Sequence, residues 1–125
     1  MYLLCICAIV VSIGCTRQQQ VLKDRATASG TVTFNGQPLP AGTIGFESTA
    51  NKVTTSVSIR EGGKYTTDRA PVGSALVTVD TSSIKYGNPA IYVAIPEKYN
   101  NAKTSGLTAD IKPGENENID FTLHK

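Results

Sequence analysis

The sequence has very little histidine and, beyond its first residues, no cysteine, and many enzyme active sites depend on these two residue types. Its 125 residues contain a single histidine, His124, and no tryptophan, and all three cysteines lie within the first 15 residues. The rest of the chain can therefore form neither a disulfide framework nor a thiolate metal site. Catalytic zinc commonly needs several histidines, and a catalytic triad here would depend on the penultimate residue. We expect a protein that is not an enzyme and that uses no metal or cofactor.

The distribution of charge excludes a typical nucleic-acid-binding domain. The 12 basic and 10 acidic residues give a net charge of +2, and residues of opposite sign alternate along the chain. Proteins that bind nucleic acid through the phosphate backbone usually concentrate positive charge on one face. We therefore expect no nucleic-acid partner.

The N-terminus is an apolar stretch with the length of an export signal. Residues 1–14 carry no charged side chain, and residues 2–13 are apolar except for Ser12. A membrane-spanning helix needs about 20 such residues, whereas the apolar part of a signal peptide has about 7–15. The sequence therefore predicts a signal peptide over residues 1–14.

The end of this stretch, Ser12-Ile13-Gly14-Cys15, resembles the lipobox of bacterial lipoproteins. The resemblance implies that the Cys15 thiol receives a diacylglycerol and that a peptidase cuts between Gly14 and Cys15. The implied partner is a membrane, because two or three acyl chains on one cysteine anchor a protein stably. The implied location is the cell envelope, with the domain facing the periplasm or the cell surface. A secretory signal without lipid and a buried N-terminal strand are the alternatives.

The remainder divides into a tether and one β domain. Residues 15–27 are polar, with no periodicity, and predict a flexible tether. From residue 28 to residue 125, runs that alternate polar and apolar side chains are separated by Gly, Pro and Asn, which is typical of strands and turns. This pattern predicts an all-β domain, a seven-stranded antiparallel sandwich or barrel. The seven runs cover residues 31–34, 43–47, 55–59, 65–67, 75–79, 107–111 and 118–123.

The alternation also assigns one face of each strand to the core, with Thr and Ser on the other face. The side chains predicted to point inward are Val32, Phe34, Ile44, Phe46, Val57, Ile59, Tyr65, Val77, Val79, Ala109, Ile111, Ile119, Phe121 and Leu123. Leu39, which lies between two prolines, is predicted to close one end of the sandwich.

Two segments resemble the signatures of carboxypeptidase-regulatory-like domains. Residues 30–44 contain Gly-x-Val, a turn glycine, Pro-Leu and Gly-x-Ile, and residues 63–73 contain Gly-x-Tyr followed by Pro-x-Gly. The resemblance implies a single seven-stranded antiparallel sandwich of the prealbumin-like (Ig-like), transthyretin-like type that extends to Leu123. In the carboxypeptidases this domain is an accessory, and the peptidase activity belongs to a separate zinc domain.

One long segment between strands is rich in tyrosine. Residues 84–102 contain Tyr86, Tyr92 and Tyr99 and show little strand character. Long loops on rigid scaffolds often carry binding sites, so these three tyrosines form a possible interaction loop. The alternative is that the segment folds back to cover an edge or an end of the sandwich.

These observations lead to two hypotheses about function. The first is a lipid-anchored module of the cell envelope with a structural role or an interaction role toward an envelope protein or glycan. The second is a surface lipoprotein that binds a small molecule or a carbohydrate. Glycan sites usually present flat aromatic side chains, and the absence of tryptophan favours the first hypothesis.

Overall fold

The fold is built almost entirely from strands. A computed structural model describes residues 25–125, so the predicted signal peptide, Gly14 and Cys15 lie outside the described residues. The described strands are β1 (Arg25–Phe34), β2 (Gln37–Pro38), β3 (Gly42–Ser48), β4 (Thr54–Ile59), β5 (Lys64–Pro71), β6 (Gly73–Asp80), β7 (Leu107–Ile111), β8 (Gly114–Asn116) and β9 (Phe121–Leu123). A short helix, α1 (Ser82–Gly87), follows β6, and short 3-10 turns cover Glu61–Gly63, Pro89–Ile91 and Glu97–Asn100.

The strands form two sheets. One sheet has the order β4-β3-β6-β7 and is antiparallel throughout. The other is organised around β1, which pairs antiparallel with β2 and β5 and parallel with β8 and β9. The prediction of an all-β, mainly antiparallel fold in two sheets is confirmed.

The predicted count of seven antiparallel strands is wrong in two respects. The described residues contain nine strands, and the two additional ones, β2 and β8, have only two and three residues. Strands this short cannot show a two-residue alternation. The C-terminal strands also pair parallel to β1, and parallel pairs lack the tight hairpin turn that marks an antiparallel pair in a sequence.

The domain also begins earlier than the sequence indicated. β1 starts at Arg25, which pairs with Pro71, so residues 25–27 of the predicted tether belong to a strand. The register shifts between Ala26 and Ala28, and a bulge of this kind interrupts the alternation of side chains. Both alanines are buried, but their small side chains give little hydrophobic signal.

The assignment of core faces is confirmed. Every side chain predicted to point inward is buried or packs against the buried cluster, and Leu39 is buried as expected. Phe46 of β3 lies at the centre, with its ring 5.9 Å from Tyr65 and 6.4 Å from Phe121. Because these two partners belong to the sheet around β1, Phe46 joins the two sheets.

The topology gives the sandwich two different ends. At the near end, β1 begins at Arg25 beside Pro71, and β6 begins at Gly73 two residues later. At the far end, β6 finishes, and residues 81–106 lead to β7, whose first residue pairs with Val77. The length of β1 separates the two ends by about 30 Å. The chain therefore enters at one end, and its longest connection lies at the other.

Candidate functional site

The three tyrosines of the predicted interaction loop lie in three different environments. Tyr86 in α1 is 84% exposed, Tyr92 is half-buried, and Tyr99 is only 4% exposed. The structure therefore does not bring them together as one aromatic surface. An interaction through Tyr86 or Tyr92 stays a prediction.

Tyr99 belongs to the hydrophobic core and does not form part of an exposed surface. Its ring belongs to the buried cluster, and its hydroxyl accepts a hydrogen bond from the His124 backbone N–H at 2.9 Å. The hydroxyl also lies 3.2 Å from the His124 carbonyl, to which it donates. Val93 and Ile95 pack against the same cluster. This part of the segment covers the far end, which was the alternative interpretation, and the Tyr99 ring is inaccessible to a partner.

A small polar cleft lies between β6 and the long segment. Its volume is about 190 Å³, which is below the range of about 300–1,000 Å³ that is common for small-molecule sites. Asp80 already accepts two hydrogen bonds from Ser82, from the backbone N–H at 2.9 Å and from the hydroxyl at 3.0 Å. Since Asp80 is engaged locally and the cleft is small, this cleft is the weaker candidate.

A larger groove lies along β1 and β5. Its volume is about 400 Å³, and we refer to it as the β1–β5 groove. It is lined by Ser29, Gly30, Thr31, Arg60, Lys64, Tyr65, Thr66, Glu117 and Asn118. Sequence analysis did not predict this groove, because residues 117–118, which form its third wall, are almost 90 residues from β1 in the chain.

The third wall of the groove is held against β1 by one backbone hydrogen bond and one hydrogen bond to a side chain. The Ile119 N–H donates to the Ser29 carbonyl at 2.9 Å, and the Thr31 N–H donates to Oδ1 of Asp120 at 2.8 Å. Between these contacts, a Cβ placed on Gly30 would lie 2.0 Å from the Ile119 carbonyl oxygen. Only glycine allows the two chains to approach this closely.

Tyr65 supports the groove from the core side. Its side chain is buried, and its hydroxyl donates to the Ile119 carbonyl oxygen at 2.5 Å. Burial raises the pKa of the Tyr65 phenol above its usual range, and the negative charge of Asp120 acts in the same direction. The phenol therefore stays neutral and remains a donor. Its contribution to stability is complete below the ordinary tyrosine pKa of about 10 and is lost as the pH rises above that value.

Two positive charges face each other at the edge of the groove. Arg60 and Lys64 are directly opposite in an isolated antiparallel bridge, where the Arg60 N–H donates to the Lys64 carbonyl at 2.8 Å. Among the described side chains, those of residues 26–125, the one ion pair joins Arg69 to Asp68 at 4.0 Å. Within that range, neither cation of the bridge has a carboxylate partner at this distance. Like charges directly opposite each other on paired strands are destabilising.

Two other kinds of feature are absent from the described part of the chain, a metal-ligand cluster and a membrane-spanning helix. No three or more histidine, cysteine, aspartate or glutamate side chains of residues 25–125 are grouped closely enough to hold a metal ion. Within the same range, no helix has the length and apolar character that a membrane crossing requires.

Two features of the β1–β5 groove, Gly30 and Tyr65, belong to the segments that resemble carboxypeptidase-regulatory-like signatures. No protein-family model matches the chain, and no curated protein is significantly similar to it.

Proposed function

We propose that the chain is a lipid-anchored module of the cell envelope, without catalytic activity, that contacts an envelope protein or glycan. The lipobox-like ending Gly14-Cys15 supports the lipid anchor, which would attach the chain to a membrane at Cys15. The domain that follows is proposed to be a prealbumin-like member of the carboxypeptidase-regulatory-like group. Its support is that Gly30 and Tyr65 of the two signatures have defined roles in packing.

The observation that carries the interaction role is the separation of the two ends. A lipid on Cys15 would be joined to the near end through residues 16–24, since the chain enters β1 at Arg25. The far end lies about 30 Å away along β1, opposite the point where the chain enters the domain. It presents Tyr86 at 84% exposure and Ile91 at 40% exposure. Exposed aromatic and aliphatic side chains on a rigid scaffold are suited to protein contacts.

Site-specific photocrosslinking in cells tests this orientation. A photoreactive phenylalanine analogue at position 86 should give specific adducts with an envelope component. The matched control is the same analogue at position 53 on the near end, where Val53 is 55% exposed in the loop between β3 and β4. Adducts from position 53 but not from position 86, or none from either, would contradict an interaction through the far end.

The second hypothesis, a surface lipoprotein that binds a small molecule or a carbohydrate, is favoured by a separate observation. The β1–β5 groove has the volume of a small-ligand site and is lined by three side-chain hydroxyls, those of Ser29, Thr31 and Thr66. Its lining residues include neither Tyr86 nor Ile91. The two hypotheses therefore concern different surfaces and can be tested independently.

A further inference from the structure

We propose that the β1–β5 groove binds a saccharide that carries a carboxylate. This proposal rests on the second hypothesis above and names its ligand class. It does not depend on the interaction role of Tyr86 and Ile91, because the groove includes neither residue.

The first support is the match between the groove and a polyhydroxylated ligand. Its volume of about 400 Å³ falls in the range of small-ligand sites, about 300–1,000 Å³. Ser29, Thr31 and Thr66 contribute hydroxyls that can each donate and accept, and Asn118 contributes an amide with both capacities. Sugar hydroxyls also donate and accept, so this mixed lining can pair with neighbouring hydroxyls of one sugar ring.

The second support is the charge at the edge of the groove. Arg60 and Lys64 line it with two positive charges, and Glu117 contributes one negative charge. Asp120 lies beside the groove, where one of its oxygens already accepts the Thr31 N–H. A ligand carboxylate between the two cations would relieve their mutual repulsion and form charge-assisted hydrogen bonds, which are stronger than neutral ones. The guanidinium of Arg60 also has the planar geometry that binds a carboxylate through two parallel hydrogen bonds.

The third support is that the groove is formed before a ligand binds. Two of its walls are strands, and the third is fixed by the bonds from Ile119 to Ser29 and from Thr31 to Asp120. Below it, the Tyr65 hydroxyl holds the Ile119 carbonyl. A preformed site loses little conformational entropy on binding, and sites on strands are positioned more accurately than sites on loops.

NMR titration of the full chain in detergent tests the proposal with D-glucuronate as the probe. We expect glucuronate to shift the amide signals of Thr31, Lys64 and Thr66 while leaving that of Tyr86 unchanged. The neutral methyl glucoside should bind more weakly. Arg60→Gln and Lys64→Gln should each weaken glucuronate binding about tenfold, the effect of one charge-assisted hydrogen bond.

The matched control is Lys103→Gln, which removes a charge from an exposed lysine outside the groove. This variant should bind glucuronate as the unchanged protein does. If Lys103→Gln weakened glucuronate binding as much as Arg60→Gln and Lys64→Gln do, the ligand would be attracted by the net charge of the protein and not by the groove. That result would overturn the proposal. If the methyl glucoside bound as tightly as glucuronate, the claim that the ligand carries a carboxylate would be overturned. If inorganic phosphate bound as tightly as glucuronate, the claim that the ligand is a saccharide would be overturned. An absence of shifts in the groove would overturn the site itself, while the photocrosslinking result at position 86 would stand unaffected.

Discussion

Replacing Gly30 with alanine is expected to destabilise the domain by about 3 kcal/mol or more, at the upper end of the cost of overpacking. The added Cβ would lie 2.0 Å from the Ile119 carbonyl oxygen and 3.0 Å from a carboxylate oxygen of Asp120. The first of these atoms belongs to the backbone, so it cannot move aside by changing a rotamer. The C-terminal segment would have to separate from β1. Urea denaturation of residues 25–125, followed by circular dichroism, measures the loss.

Gly87→Ala is the matched control for this substitution. Gly87 ends α1, has no positive φ, and has no atom within 4 Å of the position where a Cβ would lie. Its replacement should change the free energy of unfolding by no more than about 1 kcal/mol. If Gly30→Ala were as stable as Gly87→Ala, the close approach of residues 117–120 to β1 would be contradicted. The third wall of the β1–β5 groove would be contradicted with it.

Phe46→Ala should cost about 3–5 kcal/mol, as is usual for a core aromatic side chain. Phe46 is completely buried and contacts aromatic rings from the opposite sheet, those of Tyr65 and Phe121. Its removal leaves a cavity between the two sheets, where neighbouring side chains are fixed by the strands and cannot collapse fully. The same urea denaturation experiment gives the change in the free energy of unfolding.

Val53→Ala provides the comparison for the core substitution. Val53 lies in the loop between β3 and β4 and is 55% exposed. Surface changes of this kind usually alter stability by less than about 0.5 kcal/mol. Equal effects of Phe46→Ala and Val53→Ala would mean that the inward face of β3 has been assigned incorrectly.

The faces of the strands could be predicted from the sequence because their alternation is local. In β3, Ile44 and Phe46 are separated by Gly45, and in β6, Val77 and Val79 are separated by Thr78. A residue spacing of two puts the apolar side chains on one face whatever the rest of the chain does. Burial of that face then follows from the need to remove apolar surface from water.

The pairing of the C-terminal segment with β1 could not be predicted in the same way. Ile119 and Asp120 bond to Ser29 and Thr31, which are about 90 residues earlier in the chain. Neither turn composition nor alternation records which distant strand a segment joins. In addition, the Thr31 N–H donates to the side chain of Asp120 and not to a backbone carbonyl. This part of the contact with β1 therefore does not follow the hydrogen-bond pattern of a regular pair of strands. The β1–β5 groove depends on this pairing and was missed for the same reason.

Tyr99 shows a second limit of sequence reasoning. A tyrosine in a polar segment between strands can face solvent or turn inward, and the choice depends on whether its hydroxyl finds a buried partner. For Tyr99 that partner is the backbone of His124, which comes 25 residues later. Tyr86, in the same segment, is exposed in the structure.

Mass spectrometry of Cys15 is the most direct test of the lipid-anchored module. The chain should be expressed in a bacterial host that processes lipoproteins, and the membrane fraction should be isolated. We expect a protein that lacks residues 1–14 and carries a diacylglyceryl mass on Cys15. Cys15→Ser should remain uncleaved at this site, whereas Cys5→Ser and Cys7→Ser should be processed normally. An unmodified Cys15, or a first residue other than Cys15 in the processed chain, would contradict the lipid anchor.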